Sequence, residues 1–105
     1  MQSVFKAIAD PTRRRILGLL AEREMSIGEV AEQFDISRPA IAKHLHILEA
    51  GDLIRVEPRG RERVNRLNPL PLRQVAEWLA FFDRYWDDKL DTLKTALEQY
   101  NDRDH

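Results

Sequence analysis

The stretch SRPAIAKHLHILEAGDLI, residues 37–54, carries its own start and stop signals. Ser37 is a good N-cap, because its hydroxyl can accept a hydrogen bond from a free amide of the first helical turn. Pro39 falls in that turn, where a missing N–H costs little. Ile41, Leu45 and Leu48 recur at i, i+4 and i+7, which gives the helix one apolar face. Arg38, Lys43 and His46 are left on the other faces. Gly51 is expected to end the helix in a left-handed conformation, and Leu53-Ile54 opens an extended run. A capped helix with a basic outer face, followed at once by a strand, is the layout of a winged helix-turn-helix.

The flanking sequence agrees with that layout. Val4, Phe5 and Ile8 predict a short first helix. Asp10 as N-cap and Pro11 at the first helical position start a second, with Ile16, Leu17, Leu19 and Leu20 as its buried face. Ser26 starts a third, with Glu29 in capping-box register and Ile27, Val30, Ala31 and Phe34 facing inward. Asp35-Ile36 makes the turn, so the helix-turn-helix unit occupies residues 26–51. Leu53–Glu57 and Arg63–Leu67 predict two strands around Pro58-Arg59-Gly60-Arg61-Glu62, a wing hairpin over residues 53–67 in which Gly60 frees the turn. Asn68-Pro69-Leu70-Pro71 reads as the one linker.

From there one long helix is expected over residues 72–100. Its apolar stripe (Leu72, Val75, Leu79, Phe82, Trp86, Leu90, Leu93, Leu97, Tyr100) steps by three and four, close to a coiled-coil seam. About 29 residues at 1.5 Å each span roughly 43 Å, more than so small a body can cover. The distal half is therefore expected to pack on a second copy, because leaving the stripe bare would expose an aggregation-prone patch. Phe5, Ile8, Leu79, Phe82, Trp86, Leu90, Leu93 and Leu97 are the expected dimer interface. The tail NDRDH is expected to fray. The expected fold is mainly α with a small β-hairpin, a dimeric winged helix-turn-helix of order α-α-α-α-β-β-α, forming one domain over residues 1–105.

Composition excludes several functions. With 105 residues, 43% hydrophobic and 33% charged, the chain has an ordinary globular make-up. No apolar run approaches the ~20 residues of a membrane span, and the first residues lack a signal peptide's apolar core. A cytoplasmic location follows as the default. There are no cysteines, so disulfides, thiolate metal sites and a cysteine nucleophile are excluded. No glycine-rich phosphate loop or nucleophile–base pair stands in a motif context, so no enzyme activity, catalytic residue or cofactor is expected. The net charge is −1, but it is unevenly spread. Residues 37–66 hold seven Lys/Arg against four Asp/Glu, a local +3, and residues 68–105 hold five against eight, a local −3. A dimer would double both, giving a basic face and an acidic back.

The basic stretch points to double-stranded DNA. Arg38 can offer a bidentate fork to guanine, and Ser37 and Lys43 can reach phosphates or base edges. Arg59, Arg61 and Arg63 form the candidate wing, suited to phosphates or an adjacent minor groove; the bland reading is a solvated turn kept soluble by arginines. His44 and His46 sit at i, i+2, a spacing that does not converge on a metal. Packing and phosphate contact suit His44, and solvent or nearby DNA suits His46. An alternative function is a dimeric protein–protein interaction module built on the same scaffold. The aromatic cluster Trp78, Phe81, Phe82, Tyr85, Trp86 can line a ligand pocket, although burial alone accounts for so many rings.

Over ADPTRRRIL (residues 9–17), within Phe5–Leu20, and over Ile27–Ile54, the chain resembles the ArsR family of bacterial winged-helix repressors. That resemblance implies a homodimer binding a palindromic, inverted-repeat operator through the fourth helix and the wing. By position it implies DNA contacts from Ser37, Arg38, Pro39, Ala40, Lys43 and His44, with Arg59 and Arg61 from the wing. Ala42 stands where many members carry serine. Metal-sensing members use cysteines in the helix before the turn, or a His/Asp/Glu set on the terminal helix. Here the former reads IGEVAEQF, and the latter has Asp83, Asp87, Asp88, Asp91 and Glu98 but no histidine. The chain thus resembles the metal-independent branch, which includes autorepressors and regulators encoded beside START-like proteins. The inducer, small molecule or protein, is left open.

Overall fold

A computed structural model describes residues 2–103, with side chains from residue 3 to residue 100. The order is α1 (Gln2–Ile8), α2 (Pro11–Glu22), β1 (Met25–Ser26), α3 (Ile27–Glu32), α4 (Arg38–Ala50), β2 (Ile54–Arg59), β3 (Glu62–Leu67), α5 (Leu70–Ala80) and α6 (Asp83–Arg103). The described fold is mainly helical with a small three-stranded antiparallel sheet, strand order β1-β3-β2. It divides into two compact units, Met1–Gln74 and Val75–His105.

In the first unit, short-range hydrogen bonds start the helices where the sequence places them. Asp10 caps α2 by accepting from the Arg13 N–H at 3.0 Å, with Pro11 following. Ser26 and Glu29 form the reciprocal capping box of α3, at 3.2 and 3.1 Å. Ser37 Oγ accepts from the Ala40 N–H at 3.3 Å and caps α4. The apolar faces then meet in one core. Ile16, Val30, Ile41, Leu48 and Leu53 are wholly or almost wholly buried there, with Val4, Ala7, Leu20, Met25 and Ile54 around them. Leu19 is only half-buried, and α3 ends at Glu32, leaving Phe34 in the turn.

The end of α4 differs from the expectation. Gly51 has φ −84° and is not left-handed; Asp52, at φ 59°, takes that conformation instead. Two bonds close a Schellman motif around it, Asp52 N–H to Glu49 O at 2.9 Å and Leu53 N–H to Leu48 O at 3.0 Å. Leu48 and Leu53, both at 0% exposure, form its hydrophobic contact. Glycine at 51 answers a different demand. A Cβ there would lie 3.0 Å from Ser3 O and 3.5 Å from the Ala7 Cβ, so α1 can cross this close only over a bare Cα.

The hairpin is tighter than the predicted five-residue turn. Pairing runs from Ile54↔Leu67 to Arg59↔Glu62, leaving only Gly60 and Arg61 in the loop. Gly60 has φ 62°, and Arg61 is not among the described non-glycine residues with positive φ. That is the signature of a type II′ turn, whose twist matches the strands. The third strand, β1, was not foreseen. Its two residues pair with β3 as Met25↔Asn65 and Ser26↔Val64, and the buried Asn65 donates from Nδ2 to Met25 O at 3.1 Å. The expected linker is also shorter: α5 starts at Leu70, and Asn68 is buried, donating to Asp52 O and Leu53 O at 2.8 Å each.

In the second unit the single long helix of the sequence reading is interrupted at Phe81-Phe82. The Phe82 N–H donates to Leu79 O at 2.9 Å, three residues back rather than four, which tightens the end of α5. Asp83 then stands in the first turn of α6, where the helix dipole favours an acid. Around the break, Phe82 meets Trp78 and Phe81 edge-on, both at 5.2 Å. Trp86, Leu90, Leu93, Leu97 and Tyr100 on α6 are all exposed. Helical backbone continues through Arg103; Asp104 and His105, part of the tail expected to fray, lie outside the described residues.

Candidate nucleic-acid interface

With Ile41, Leu45 and Leu48 buried, helical periodicity turns Pro39, Lys43 and His46 away from the core. Ser37, Arg38, Pro39 and Lys43 are exposed and Ala40 is half-buried, so the start of α4 is open to a ligand. One flank of α4 faces the hairpin across a cavity of about 240 Å³ lined by Ala42, His46 and Glu49 on one side and Val56, Arg63 and Asn65 on the other. The other flank faces α2.

His44 lies on the α2 side and is not a freely solvated contact. Its Nδ1 is 3.2 Å from Arg13 Nη1 and 3.9 Å from Asp10 Oδ2. Arg13 also donates from Nε to Ala7 O at 2.7 Å and from Nη2 to Lys6 O at 2.9 Å, and Arg14 donates to Ile8 O at 2.8 Å. These arginines bond carbonyls at the end of α1, where Lys6 O also accepts from the Ala9 N–H at 3.3 Å. A guanidinium can only donate, so Nδ1 is the acceptor, and a neutral ring held this way carries its proton on Nε2. The DPTRR run thus caps α2, caps α1 and orients His44 together. Sequence reasoning missed Arg13 because its partners lie six, seven and 31 positions away.

The wing arginines divide by face. Arg59 makes a two-pronged pair with Glu24, through Nη1 to Oε1 and through Nη2 to Oε2 at 3.1 Å. Its Nη2 is also 3.7 Å from Glu57, and Arg66 Nη1 donates to Glu57 at 3.0 Å. Two arginines and two glutamates therefore form a closed network, and Arg59 is occupied by carboxylates. Arg61 and Arg63 have no such partner among the described residues. Together with Arg38 they line a second cavity, of about 400 Å³, beside Ser26, Ile27, Gly28 and Glu62. Arg38 lies back over α3, its Nη2 4.0 Å from where a Gly28 Cβ would stand. The structure thus brings Arg38 together with Arg61 and Arg63, and sets Arg59 apart.

Three carboxyls are held below their ordinary range. For Glu24 the main cause is the Arg59 hydrogen bond; for Glu29 it is the Arg23 hydrogen bond, with the Ser26 N–H next; for Asp10 it is the Arg13 N–H. Lowered folded-state values mean that these contacts stabilise the fold above the unfolded values, near 4.5 for glutamate and 3.8 for aspartate, and are lost as pH falls through the folded values. The urea midpoint is therefore expected to fall on acidification below about pH 4.5, and to fall less steeply in Glu24→Gln. Parallel urea titrations of both chains across that range measure it; identical slopes would refute the Glu24 network as a source of stability.

Residues 8–57 match the family described as a helix-turn-helix domain. The transcriptional repressor SdpR of Bacillus subtilis is 41% identical over 90 residues, which cover 86% of this chain and 100% of that one. The HTH-type transcriptional regulator Rv2034 of Mycobacterium tuberculosis is 34% identical over 98 residues, covering 93% and 89%. Among solved structures, the ArsR family transcriptional regulator RHA00566 aligns with a TM-score of 0.73 at 37% identity, over 82% of this chain and 94% of that one. An ArsR-like transcriptional regulator from Rhodococcus sp. RHA1 gives 0.69 at 36% identity, over 90% and 89%. A capped fourth helix, a wing hairpin and these likenesses lead to one conclusion: the chain belongs to the ArsR family of winged helix-turn-helix transcriptional regulators.

Proposed function

We propose that the chain is a homodimeric, sequence-specific DNA-binding repressor that acts on an inverted-repeat operator without sensing a metal. The observation that carries the reading is the start of α4, capped by Ser37 and open to solvent, beside a hairpin that offers unpaired arginines. Ser37, Arg38, Pro39, Ala40, Lys43 and His44 are the proposed contacts from α4, and Arg61 and Arg63 those from the wing. Arg59, tied to Glu24 and Glu57, holds the hairpin rather than the nucleic acid.

A second copy is needed to bring two recognition helices to successive major grooves, about 34 Å apart. The exposed apolar face of α6 is the proposed dimer contact, with Leu79, Phe82, Phe5 and Ile8 joining it. The absence of cysteine from the chain supports metal independence. That SdpR is a named repressor supports repression over activation. A protein of this kind acts in the cytoplasm. Selection from a random-sequence duplex library, at moderate salt, is expected to enrich a palindrome with half-sites about one helical turn apart. A library that stays unenriched would sink the reading.

A further inference from the structure

We infer that Arg38, Arg61 and Arg63 form one seat for a single phosphodiester of the DNA backbone, so that Arg38 grips a phosphate rather than reading a base. The inference rests on the DNA-binding reading above and assigns its leading arginine a different task. Three observations support it. First, the three residues come from the start of α4 and from the wing, yet they line one cavity. Second, none of them is held by a carboxylate among the described residues, whereas Arg59 and Arg66 on the same hairpin are paired with Glu24 and Glu57. Like charges around one space repel one another, so three arginines that line it without a carboxylate partner favour an anion there. Third, the Arg38 guanidinium lies toward Gly28 on α3, on the flank of α4, and away from the outward side where Pro39 and Lys43 stand.

A phosphodiester fits that demand. Its two non-bridging oxygens can accept several N–H bonds at once, and guanidinium forks match them in geometry. The lone carboxylate at the cavity, Glu62, is exposed and sits beside the turn. Sequence preference then falls to the outward side of α4, to Pro39 and Lys43, and to the shape of the duplex. The shared chemistry is an oxyanion bound by arginines; the source assigned here is the DNA backbone.

The test is fluorescence anisotropy of the full chain, with Arg38→Gln, Arg61→Gln and the double variant. The probes are a library-selected duplex and a random-sequence duplex, each over a salt series. Arg38→Gln is expected to weaken both duplexes alike, on the order of tenfold, as loss of one charge-assisted hydrogen bond implies. The slope of log affinity against log salt falls by about 0.9 for each phosphate no longer neutralised. With one seat in each protomer of the dimer, the double variant should lose no more than one such step per protomer, because its two arginines share a phosphate. A loss confined to the selected duplex makes Arg38 a base reader and overturns the inference, and two full steps of slope per protomer assign separate phosphates and overturn it as well. Titration with inorganic phosphate alone should show no saturation where the duplex is saturated. Saturable phosphate binding that Arg38→Gln abolishes, with duplex binding intact, would move the seat to a free anion and overturn the DNA assignment. If the parent binds neither duplex, the DNA reading itself falls.

Discussion

A chain carrying Leu93→Glu is expected to sediment as a monomer and to bind a palindromic duplex at least about a hundredfold more weakly, with its winged-helix unit still folded. Leu93 is 56% exposed, in line with Trp86, Leu90, Leu97 and Tyr100 along α6. That exposure in the single chain means a charge there costs folding little. In a dimer it would be buried against apolar partners, and desolvating an unpaired carboxylate costs several kcal/mol. Without the partner copy, the second half-site no longer binds at the high effective concentration that tethering supplies, commonly worth 10²- to 10⁴-fold, so about a hundredfold is the lower bound. Analytical ultracentrifugation and anisotropy give the two readouts. A variant that sediments like its parent would remove α6 from the interface.

At the end of α4 the expected effects run opposite to what the residue types suggest. Gly51→Ala should lower stability by about 1–3 kcal/mol, the cost of overpacking a close contact, because the new Cβ meets the Ser3 carbonyl. For a domain of this size that corresponds to a melting point lower by about 4–8 °C per kcal/mol. Asp52→Gly should not lower it, since Asp52 already holds the left-handed conformation that glycine accepts without strain. Thermal melts of both variants decide the matter. If Gly51→Ala is silent while Asp52→Gly is destabilised, the assignment of roles at this turn is wrong.

That turn also shows which parts of the molecule were legible in the sequence. Asp10, Ser26 with Glu29, and Ser37 were readable because each side chain bonds an amide three residues along, within the reach of local spacing. The hairpin was readable from Gly60, though not its extra paired residues. Gly51 was misread because its reason lies in α1, distant in sequence and adjacent in space. The interruption at Phe81-Phe82 was hidden because the apolar stripe keeps its spacing across it, and neither glycine nor proline marks it. For the site, the exposed start of α4 was legible, and the sorting of the wing arginines was not. Arg59 and Arg61 look equivalent in sequence; what separates them is chiefly Glu24, 35 positions from Arg59, with Glu57 beside it.

The two-residue strand β1 has a kinetic consequence for the wing. The β2–β3 hairpin closes through a two-residue loop, a local event that takes microseconds. Its attachment to the body is the opposite case: Asn65 reaches Met25 across 40 positions, so a long loop must close before that bond forms. The hairpin therefore takes shape early and acquires its direction late, when residues 24–26 dock beside it. In the native state Ile54 and Val64 keep the base of the hairpin in the core beside that short strand, and the stretch from Pro58 to Arg63 stands out exposed.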